Sequence, residues 1–491
     1  MYTKAAFALL VGNKNNYHKN QQTVYIMKTS RRNFIKSAMA STFGFSVLPS
    51  WVACASTSPN SKLNVAIVGA GGRGTAAVNE LCTYDKVNVV AFCDVDDERA
   101  AQNYRKFPDV LRTSDYRRML DKLGKDIDAV AICTPDHAHY PIATWAMEMG
   151  KHIYVEKPLT RTIKESRMLK DFAVKNPQLI TQMGNQGHTY EGWRKLREWN
   201  DAGIFGDIVE IHHWTDRPFW PQGALPWPDG KQKIPATLDY KLWLNVAPKK
   251  HKYAKEALAF NWRGIRDFGT GSLGDMGCHF MDWGYSALDL GFPTKISGWS
   301  TEFNDYSWPL EATAVFEFAG KNGKTIKLYW YDGKKKKPVA ANFPCNSKIP
   351  QSEIDKLKNG SIVIGTKESA ICTDPYGNGT MIYPRPRMVE LAKGGKLPAP
   401  SIPRIKNGPH RNWADSCIAG HKAVSDLATY ACDFNQVVLL GLIPNFFPGR
   451  TLEYDGKKGE FTNIKEANKY LQSSYEYNKE FLISEKFNPM A

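Results

Sequence analysis

A glycine-rich turn between an apolar segment and a helical pattern limits the folds open to this chain. Leu63 to Val68 reads LNVAIV, and the spacing Gly69-x-Gly71-x-x-Gly74 follows it directly. The glycines permit a tight turn and a close backbone approach. The helix that begins there offers free N–H groups and a positive dipole end to an anion. The sequence therefore predicts a βαβ unit that binds a phosphate group at this turn.

The next segment completes the pattern. VNVVAFCDVD places Asp94 at the end of a second strand, 20 residues beyond Gly74. A carboxylate at that spacing accepts the ribose hydroxyls of a dinucleotide and repels a 2′-phosphate. The pattern therefore indicates a dinucleotide site that favours NAD over NADP. Its predicted contacts at the turn and the second strand are Gly69, Gly71, Gly72, Arg73, Gly74 and Asp94.

Later segments predict two kinds of sheet. DAVAICTPDHAHYPIATWAMEMG and KHIYVEKPLTRTIKESRMLKDFA are further strand–helix patterns, so the first sheet is parallel and doubly wound. In residues 208–218 apolar and polar side chains alternate as in a β-strand. Residues 311–332 and the segment TLEYDGKKGEFT are each typical of a β-hairpin. These later segments support an antiparallel sheet in a second domain. Residues 218–260, rich in Pro, Trp and Lys, read as a long insertion over the active site.

Composition excludes several classes of protein. The net charge is +16, but the basic residues are scattered apart from a turn at residues 334–337, so we expect no nucleic-acid partner. The nine cysteines show neither CxxC nor Cys/His spacing, which predicts no zinc site and no disulfide framework. We expect no apolar run of about 20 residues beyond the N-terminus, and hence no spanning helix.

The N-terminal segment is typical of an export signal. Residues 30–36 read SRRNFIK, close to the twin-arginine signature, and a short apolar stretch follows. The alternative is a basic tail. Met27 is the predicted true start. The twin-arginine machinery carries folded proteins, so the signal predicts a periplasmic protein with a tightly held cofactor. Cleavage, lipid attachment at Cys54 and an uncleaved anchor all remain open.

These patterns divide the chain into three predicted parts. Residues 1–60 form the export signal and linker, residues 61–182 the NAD-binding Rossmann domain, and residues 183–491 a substrate and oligomerisation domain. The predicted fold class is α/β.

Three further motifs resemble those of a known protein family. TPDHAH (134–139), EKPLT (156–160) and GTGSLGDMGCHFMDW (269–283) follow the glycine turn in order. Together the four motifs resemble the glucose–fructose oxidoreductase/inositol dehydrogenase/MocA family, from about residue 62 to the C-terminus. The resemblance implies that a large open, mainly antiparallel sheet follows the Rossmann domain, covers the nicotinamide and packs against another subunit in a dimer or tetramer. It also implies that Lys157 is the catalytic lysine, with Asp275 and His279 across the substrate.

The chemistry of these residues is consistent with alcohol oxidation. That reaction needs a hydride acceptor, a base for the hydroxyl proton and a rigid hold on the carbon. Lys157 ends a strand at the carboxyl edge of the sheet, where such folds bind ligands. Asp275 and His279 are four residues apart and share a helix face. As metal ligands this pair falls short of a full set, so no metal is predicted.

Neighbouring residues complete the predicted site. Thr134, Pro135, His139, Glu156 and Lys157 are predicted to contact the cofactor. The segments MGNQGH and NWRG suit a polyhydroxylated ligand, because amides, imidazoles and an aromatic face bind sugars. The predicted substrate contacts are Asn185, Gln186, His188, Trp262 and Arg263.

Three functions remain at this point. The first is an exported NAD-dependent oxidoreductase acting on a hydroxyl of a sugar or glycoside. The second is an NAD-dependent glycosidase that oxidises C3 transiently, eliminates the aglycone, adds water and reduces the product. It needs an extra base, for which His188, Tyr190 and His139 are candidates. The third is a non-catalytic binding protein, which the intact glycine turn and Lys157 disfavour.

Overall fold

The structure is a computed structural model that describes residues 62–490 except 229, 321–322, 335 and 345–348. Met27, the twin-arginine segment and Cys54 lie outside the described residues. The predictions on the start, on export and on lipid attachment therefore stay predictions.

In the described part of the chain, the first sheet has six parallel strands in the order β3-β2-β1-β4-β5-β6. The central strand β1 is buried on both faces because helices cover both sides of the sheet. The strands are Leu63–Val68 (β1), Val87–Cys93 (β2), Leu111–Thr113 (β3), Ala129–Ile132 (β4), His152–Val155 (β5) and Thr181–Met183 (β6), and the helices are Gly74–Cys82 (α1), Asp97–Lys106 (α2), Tyr116–Leu123 (α3), Asp136–Glu148 (α4) and Ile163–Lys175 (α5).

The second sheet confirms the predicted fold class. Among the described residues it has nine strands: Ile208–Thr215 (β7), Lys295–Ser300 (β8), Ala312–Ala319 (β9), Thr325–Asp332 (β10), Gly360–Gly365 (β11), Ser369–Cys372 (β12), Met381–Tyr383 (β13), Leu452–Asp455 (β14) and Glu460–Phe461 (β15). Their order is β13-β12-β11-β7-β10-β9-β8-β14-β15, and only β7 and β10 pair in parallel among these described strands. Both predicted hairpins, β9–β10 and β14–β15, are present.

The remaining α-helices of the described residues follow the first sheet in the chain. They are Gly192–Asp201 (α6), Tyr240–Leu244 (α7), Gly271–Leu288 (α8), Gln351–Lys356 (α9), Arg385–Lys393 (α10), Pro409–Ala419 (α11) and Cys432–Leu440 (α12). Helix α8 is buried over almost its whole length and packs against α6, α12 and β7. Helix α11 returns to pack on α1, β1 and β5, so a segment near the C-terminus joins the core of the first sheet.

The expectation of no long apolar run beyond the N-terminus is wrong. The helical stretch Leu427–Phe446 meets the length and composition of a membrane span. However, 78% of it is buried inside the protein, which is typical of a core helix, and α12 forms its centre.

The cysteines in the described residues are free thiols, and all but Cys82 are buried. Cys54 and Cys345 lie outside that part of the chain. Within residues 62–490 as described, no three His, Cys, Asp or Glu side chains lie close enough together to hold a metal ion.

Candidate active site

The glycine turn forms a tight cradle at the start of α1. Gly69 has a φ of +82°, and a Cβ on Gly74 would collide with the carbonyl oxygen of Gly69. A Cβ on Gly71 would lie 2.8 Å from the carbonyl oxygen of Arg99. No side chain caps the N-terminus of α1. The turn therefore leaves backbone N–H groups and a positive dipole end for a pyrophosphate, as the sequence predicts.

Asp94 is tied to this turn. One carboxylate oxygen accepts a hydrogen bond from the backbone N–H of Gly71 at 2.7 Å, and the other accepts from the N–H of Asp96 at 3.0 Å. Burial raises the pKa of Asp94, although these two bonds oppose that effect. Each carboxylate oxygen can accept a further bond, so the residue remains able to hold ribose hydroxyls.

The loops after β4 and β5 carry two buried polar atoms without partners. Arg73 Nε donates to Glu156 Oε1 at 3.1 Å, but Glu156 Oε2 and Thr134 Oγ1 bond to nothing in the protein. Buried polar groups are almost always paired, so two orphaned oxygens at the carboxyl edge of a Rossmann sheet indicate a ligand. Their position and the glycine cradle fit NAD.

His139 links these two loops. Its ring nitrogens face the carbonyl oxygens of Pro158 and Thr134, both at 2.8 Å. Burial lowers the pKa of His139 to about 4, so the ring is neutral at physiological pH. The structure thus gives His139 a positioning role and leaves no ring nitrogen directed at substrate. The predicted contact with cofactor stays a prediction.

Lys157 and Asp275 meet at the carboxyl edge of β5. Lys157 Nζ donates to Asp275 Oδ1 at 3.0 Å and to the Asp275 carbonyl oxygen at 2.5 Å. Arg263 Nε donates to the same Oδ1 at 2.9 Å, and Arg217 Nε lies 3.8 Å from Oδ2. Burial would raise the pKa of Asp275, but Lys157 and Arg263 outweigh it and hold the pKa below its usual value. The carboxylate is therefore ionised within a cluster of cations.

His279 lies one turn further along α8. The side chain is 5% exposed, and its Nδ1 is buried without a partner. Burial, together with the charge of Lys157, keeps the pKa of His279 well below its usual value. The ring of Tyr376 packs edge-on against it at 5.0 Å. A neutral imidazole with a free nitrogen can exchange a hydrogen bond with a substrate hydroxyl.

The same face of α8 carries a second carboxylate, Asp282, which pairs with the imidazole of His188 from another segment. Asp282 follows Asp275 by seven residues, which places it two turns, about 10 Å, along the helix. Asp282 Oδ1 lies 2.9 Å from His188 Nδ1 and also accepts from Asn185 Nδ2 and the hydroxyl of Tyr430. The His188 ring stacks on Tyr430, with centroids 4.1 Å apart. The bond to Asp282 and the stacking on Tyr430 together hold the His188 ring in one orientation.

The predicted substrate residues divide into two groups. Asn185 donates to Asp282 and accepts from Ser425 Oγ at 2.6 Å, so both halves of its amide bond inside the protein. The Gln186 amide lies against the Arg73 guanidinium beside the glycine turn, and with the amide turned over its oxygen accepts from that guanidinium. Both residues serve the scaffold in this structure, and their contact with substrate stays a prediction.

The second group of predicted substrate residues, Trp262 and Arg263, lies beside Asp275. The Arg263 guanidinium lies 4.4 Å from the centre of the Trp262 ring and 4.5 Å from that of Phe260, which is 45% exposed. Arg263 also bonds to Asp275, so this aromatic surface borders the Lys157 site. Such a surface suits the apolar face of a sugar ring.

Sequence reasoning missed several members of this site. Arg217 and Tyr376 come from segments with no recognisable motif, whereas Asp282 could have been found from its spacing to Asp275. Asp136, at the start of α4, is buried and accepts from Thr270 Oγ1 at 2.7 Å. Burial raises its pKa to about 7, which leaves a protonatable carboxyl beside the cation cluster.

Comparisons with known proteins agree with this geometry. Residues 63–183 match an oxidoreductase family with an NAD-binding Rossmann fold, and residues 223–289 match the C-terminal alpha/beta domain of that family. These two segments are similar to the two domains of the Gfo/Idh/MocA family. The two matches contain all four motifs and agree with the resemblance drawn from them, and the match to an NAD-binding Rossmann fold confirms the prediction of NAD as cofactor.

The named relatives are distant. Glycosyl hydrolase family 109 protein 3 of Phocaeicola vulgatus is 28% identical over 207 residues, which cover 40% of this chain and 37% of that protein. Glycosyl hydrolase family 109 protein 1 of a Shewanella species is 32% identical over 156 residues, 30% of this chain and 33% of that protein. The matched part thus spans about a third of each relative.

Solved structures of other proteins share the fold. Aldose-aldose oxidoreductase from Caulobacter crescentus, complexed with glycerol, has a TM-score of 0.52 at 16% identity, over 80% of this chain and 99% of that one. An NAD-binding protein from Listeria innocua has a TM-score of 0.50 at 20% identity, over 80% and 97%.

Proposed function

We propose that this protein is an NAD-dependent oxidoreductase that acts on a hydroxyl group of a sugar or glycoside and keeps its cofactor tightly bound. The observation that carries the proposal is the bonding of Lys157 Nζ to Asp275 at 3.0 Å, with the free nitrogen of His279 one turn away. The glycine turn, Asp94, Glu156 and the loop at Thr134 would hold NAD. Bound NAD supplies the hydride acceptor.

Side chains of this protein would accept the proton of the substrate hydroxyl group. Once the Lys157 ammonium has given up one proton, the amine has two N–H donors and one lone pair. The side-chain and carbonyl oxygens of Asp275 can take both donors, so the lone pair is left to accept the hydroxyl proton. His279 can bond to the same or an adjacent hydroxyl. Arg263 and Arg217 keep Asp275 ionised, and the local excess of positive charge stabilises a developing alkoxide.

A glycosidase is the second candidate. Its support is the pair formed by His188 and Asp282, together with the glycosyl hydrolase names of the relatives. When His188 Nδ1–H donates to Asp282, Nε2 keeps a lone pair. That nitrogen could remove the C2 proton of a 3-keto sugar, so that the C1–O bond breaks and the aglycone leaves with the electron pair and takes up a proton.

One experiment separates the two candidates. The chain is purified without added cofactor, its bound nucleotide is quantified, and a panel of glycosides is supplied. A rise in reduced-nicotinamide absorbance with a keto sugar as product supports the oxidoreductase. Release of free sugar without a net change in cofactor supports the glycosidase, and His188→Gln should then abolish release while initial oxidation persists. A protein that neither binds NAD nor turns over refutes both.

We also propose export by the twin-arginine machinery to the periplasm, with lipid attachment at Cys54 as one possible outcome. This proposal rests on residues 30–36 alone. Cell fractionation of the wild type and of an Arg31→Lys/Arg32→Lys variant tests it, since retention of only the variant in the cytoplasm is expected. By family analogy we propose a homodimer or homotetramer, which light scattering of the purified chain would measure.

A further inference from the structure

We propose that residues 230–253 form the outer wall of the adenosine end of the NAD site and slow the release of the cofactor. This inference rests on the proposed function, because it concerns NAD bound at the glycine turn. The segment belongs to the insertion at residues 218–260, which sequence reasoning assigned to the active site alone.

Backbone hydrogen bonds attach this wall to the Rossmann sheet. The N–H of Asp97 donates to the carbonyl oxygen of Thr237 at 3.0 Å, and the N–H of Asp239 donates to the carbonyl oxygen of Val95 at 2.9 Å. Asp96 and Leu238 pair between them as an antiparallel bridge. Because Asp97 begins α2, its N–H has no partner within that helix, and the insertion supplies one.

A cavity of about 840 Å³ lies between the wall and the loop after β2. Asp94 and Ser114 line it from the Rossmann side, and Ile234, Leu238 and Tyr253 line it from the insertion. Its volume is within the range of small-molecule sites. Since Asp94 is the residue placed to hold the ribose, the adenosine end of the cofactor is the part that faces this cavity.

The side of the wall that faces the cavity is mixed: Lys241, Lys249 and Lys252 line it together with apolar side chains, of which Ile234 is incompletely covered. Ile234 is 44% exposed there, although large aliphatic side chains are usually buried. A flat apolar group such as a purine would cover it.

The wall is also firmly supported from behind. Leu238, Tyr240, Trp243 and Tyr253 are all buried in one apolar cluster, and Val95 from the loop after β2 packs against it. Opening the cavity would break the two backbone bonds and separate Val95 from this cluster. Cofactor release should therefore be slow, which agrees with a cofactor that is regenerated without leaving the protein.

The first test measures the rate of NAD release from the holoprotein after dilution into a trapping enzyme. Ile234→Asp places a charge on the cavity wall without altering the core, and release should become about tenfold faster. Val389→Asp is the matched control, since Val389 is 41% exposed on α10 and does not line the cavity. Equal release rates from Ile234→Asp and the wild type would overturn the inference.

The second test needs no variant. Amide hydrogen exchange is compared in stripped protein with and without added NAD. We expect slower exchange at residues 230–241 as well as at residues 69–74, and no change in α10. Slower exchange at residues 69–74 alone would refute this inference and leave the proposed function standing. No NAD-dependent change in either segment would refute both.

Discussion

Replacement of Lys157 by methionine tests the proposed chemistry most directly. The change removes the amine that bonds to Asp275 at 3.0 Å and 2.5 Å, at a position where the two side chains are 11% and 10% exposed. Loss of a general base lowers turnover by about 10²- to 10⁴-fold, which corresponds to about 3–5 kcal/mol in the activation free energy. We expect kcat to fall in that range and NAD content to stay unchanged.

Lys157→Met should change the free energy of unfolding by less than it changes the activation free energy. Breaking a buried ion pair costs about 3–5 kcal/mol when it leaves a charge without a partner. Asp275 retains Arg263 at 2.9 Å, so we expect a loss of about 2 kcal/mol in the free energy of unfolding, close to that of one charge-assisted hydrogen bond. Denaturant unfolding of the NAD-bound protein measures this loss.

Two further variants separate charge from proton transfer. Lys157→Arg keeps the positive charge beside Asp275 but cannot act as a base, because a guanidinium does not deprotonate in this pH range. It should unfold like the wild type and lose turnover like Lys157→Met. Lys164→Met, at an exposed position on α5, should leave kcat unchanged. A loss of less than tenfold in Lys157→Met, or normal turnover in Lys157→Arg, would refute the base assignment.

Three other predictions follow from the same structure. His279→Asn should lower kcat about a hundredfold with little change in melting temperature, because Nδ1 has no partner in the protein to lose; a rise in KM alone would contradict this role. Gly74→Ala should abolish NAD binding in a nucleotide titration, because the added Cβ meets the Gly69 oxygen, whereas Gly408→Ala, with open space around it, should bind normally. Burial lowers the pKa of His410 to about 3, so between about pH 6.5 and pH 3 only the unfolded chain binds a proton at this residue. The protein therefore loses stability as the pH falls, and the decline in melting temperature from pH 7 to pH 5 should be shallower in His410→Gln. An unchanged slope in this variant would contradict the prediction.

Much of the fold was predictable because it depends on short-range pattern. The apolar run of β1, the glycine turn and the alternation of residues 311–332 each determine a local element through side-chain periodicity or backbone freedom. The apolar stretch Leu427–Phe446 was missed, since burial in the core and membrane insertion demand similar compositions.

The candidate site was predictable only in part. The family motifs led to Lys157, Asp275 and His279, and the structure brings them together. It also shows that Asn185 and His139 bond within the protein, a distinction that residue type does not reveal. A polar side chain that binds a ligand and one that supports the scaffold look the same in a sequence.

The sequence by itself determined the cofactor turn, the ribose carboxylate and the two kinds of sheet, because these follow from residues near each other in the chain. Only the tertiary structure decided which cations surround Asp275, that Asp282 orients His188, and that the insertion reaches back to the loop after β2. The contacts of Arg217 with Asp275, of His188 with Asp282 and of Asp96 with Leu238 join residues 58, 94 and 142 positions apart in the chain. They form because burial of separate apolar surfaces brings distant segments together, and no local periodicity records which segments will meet.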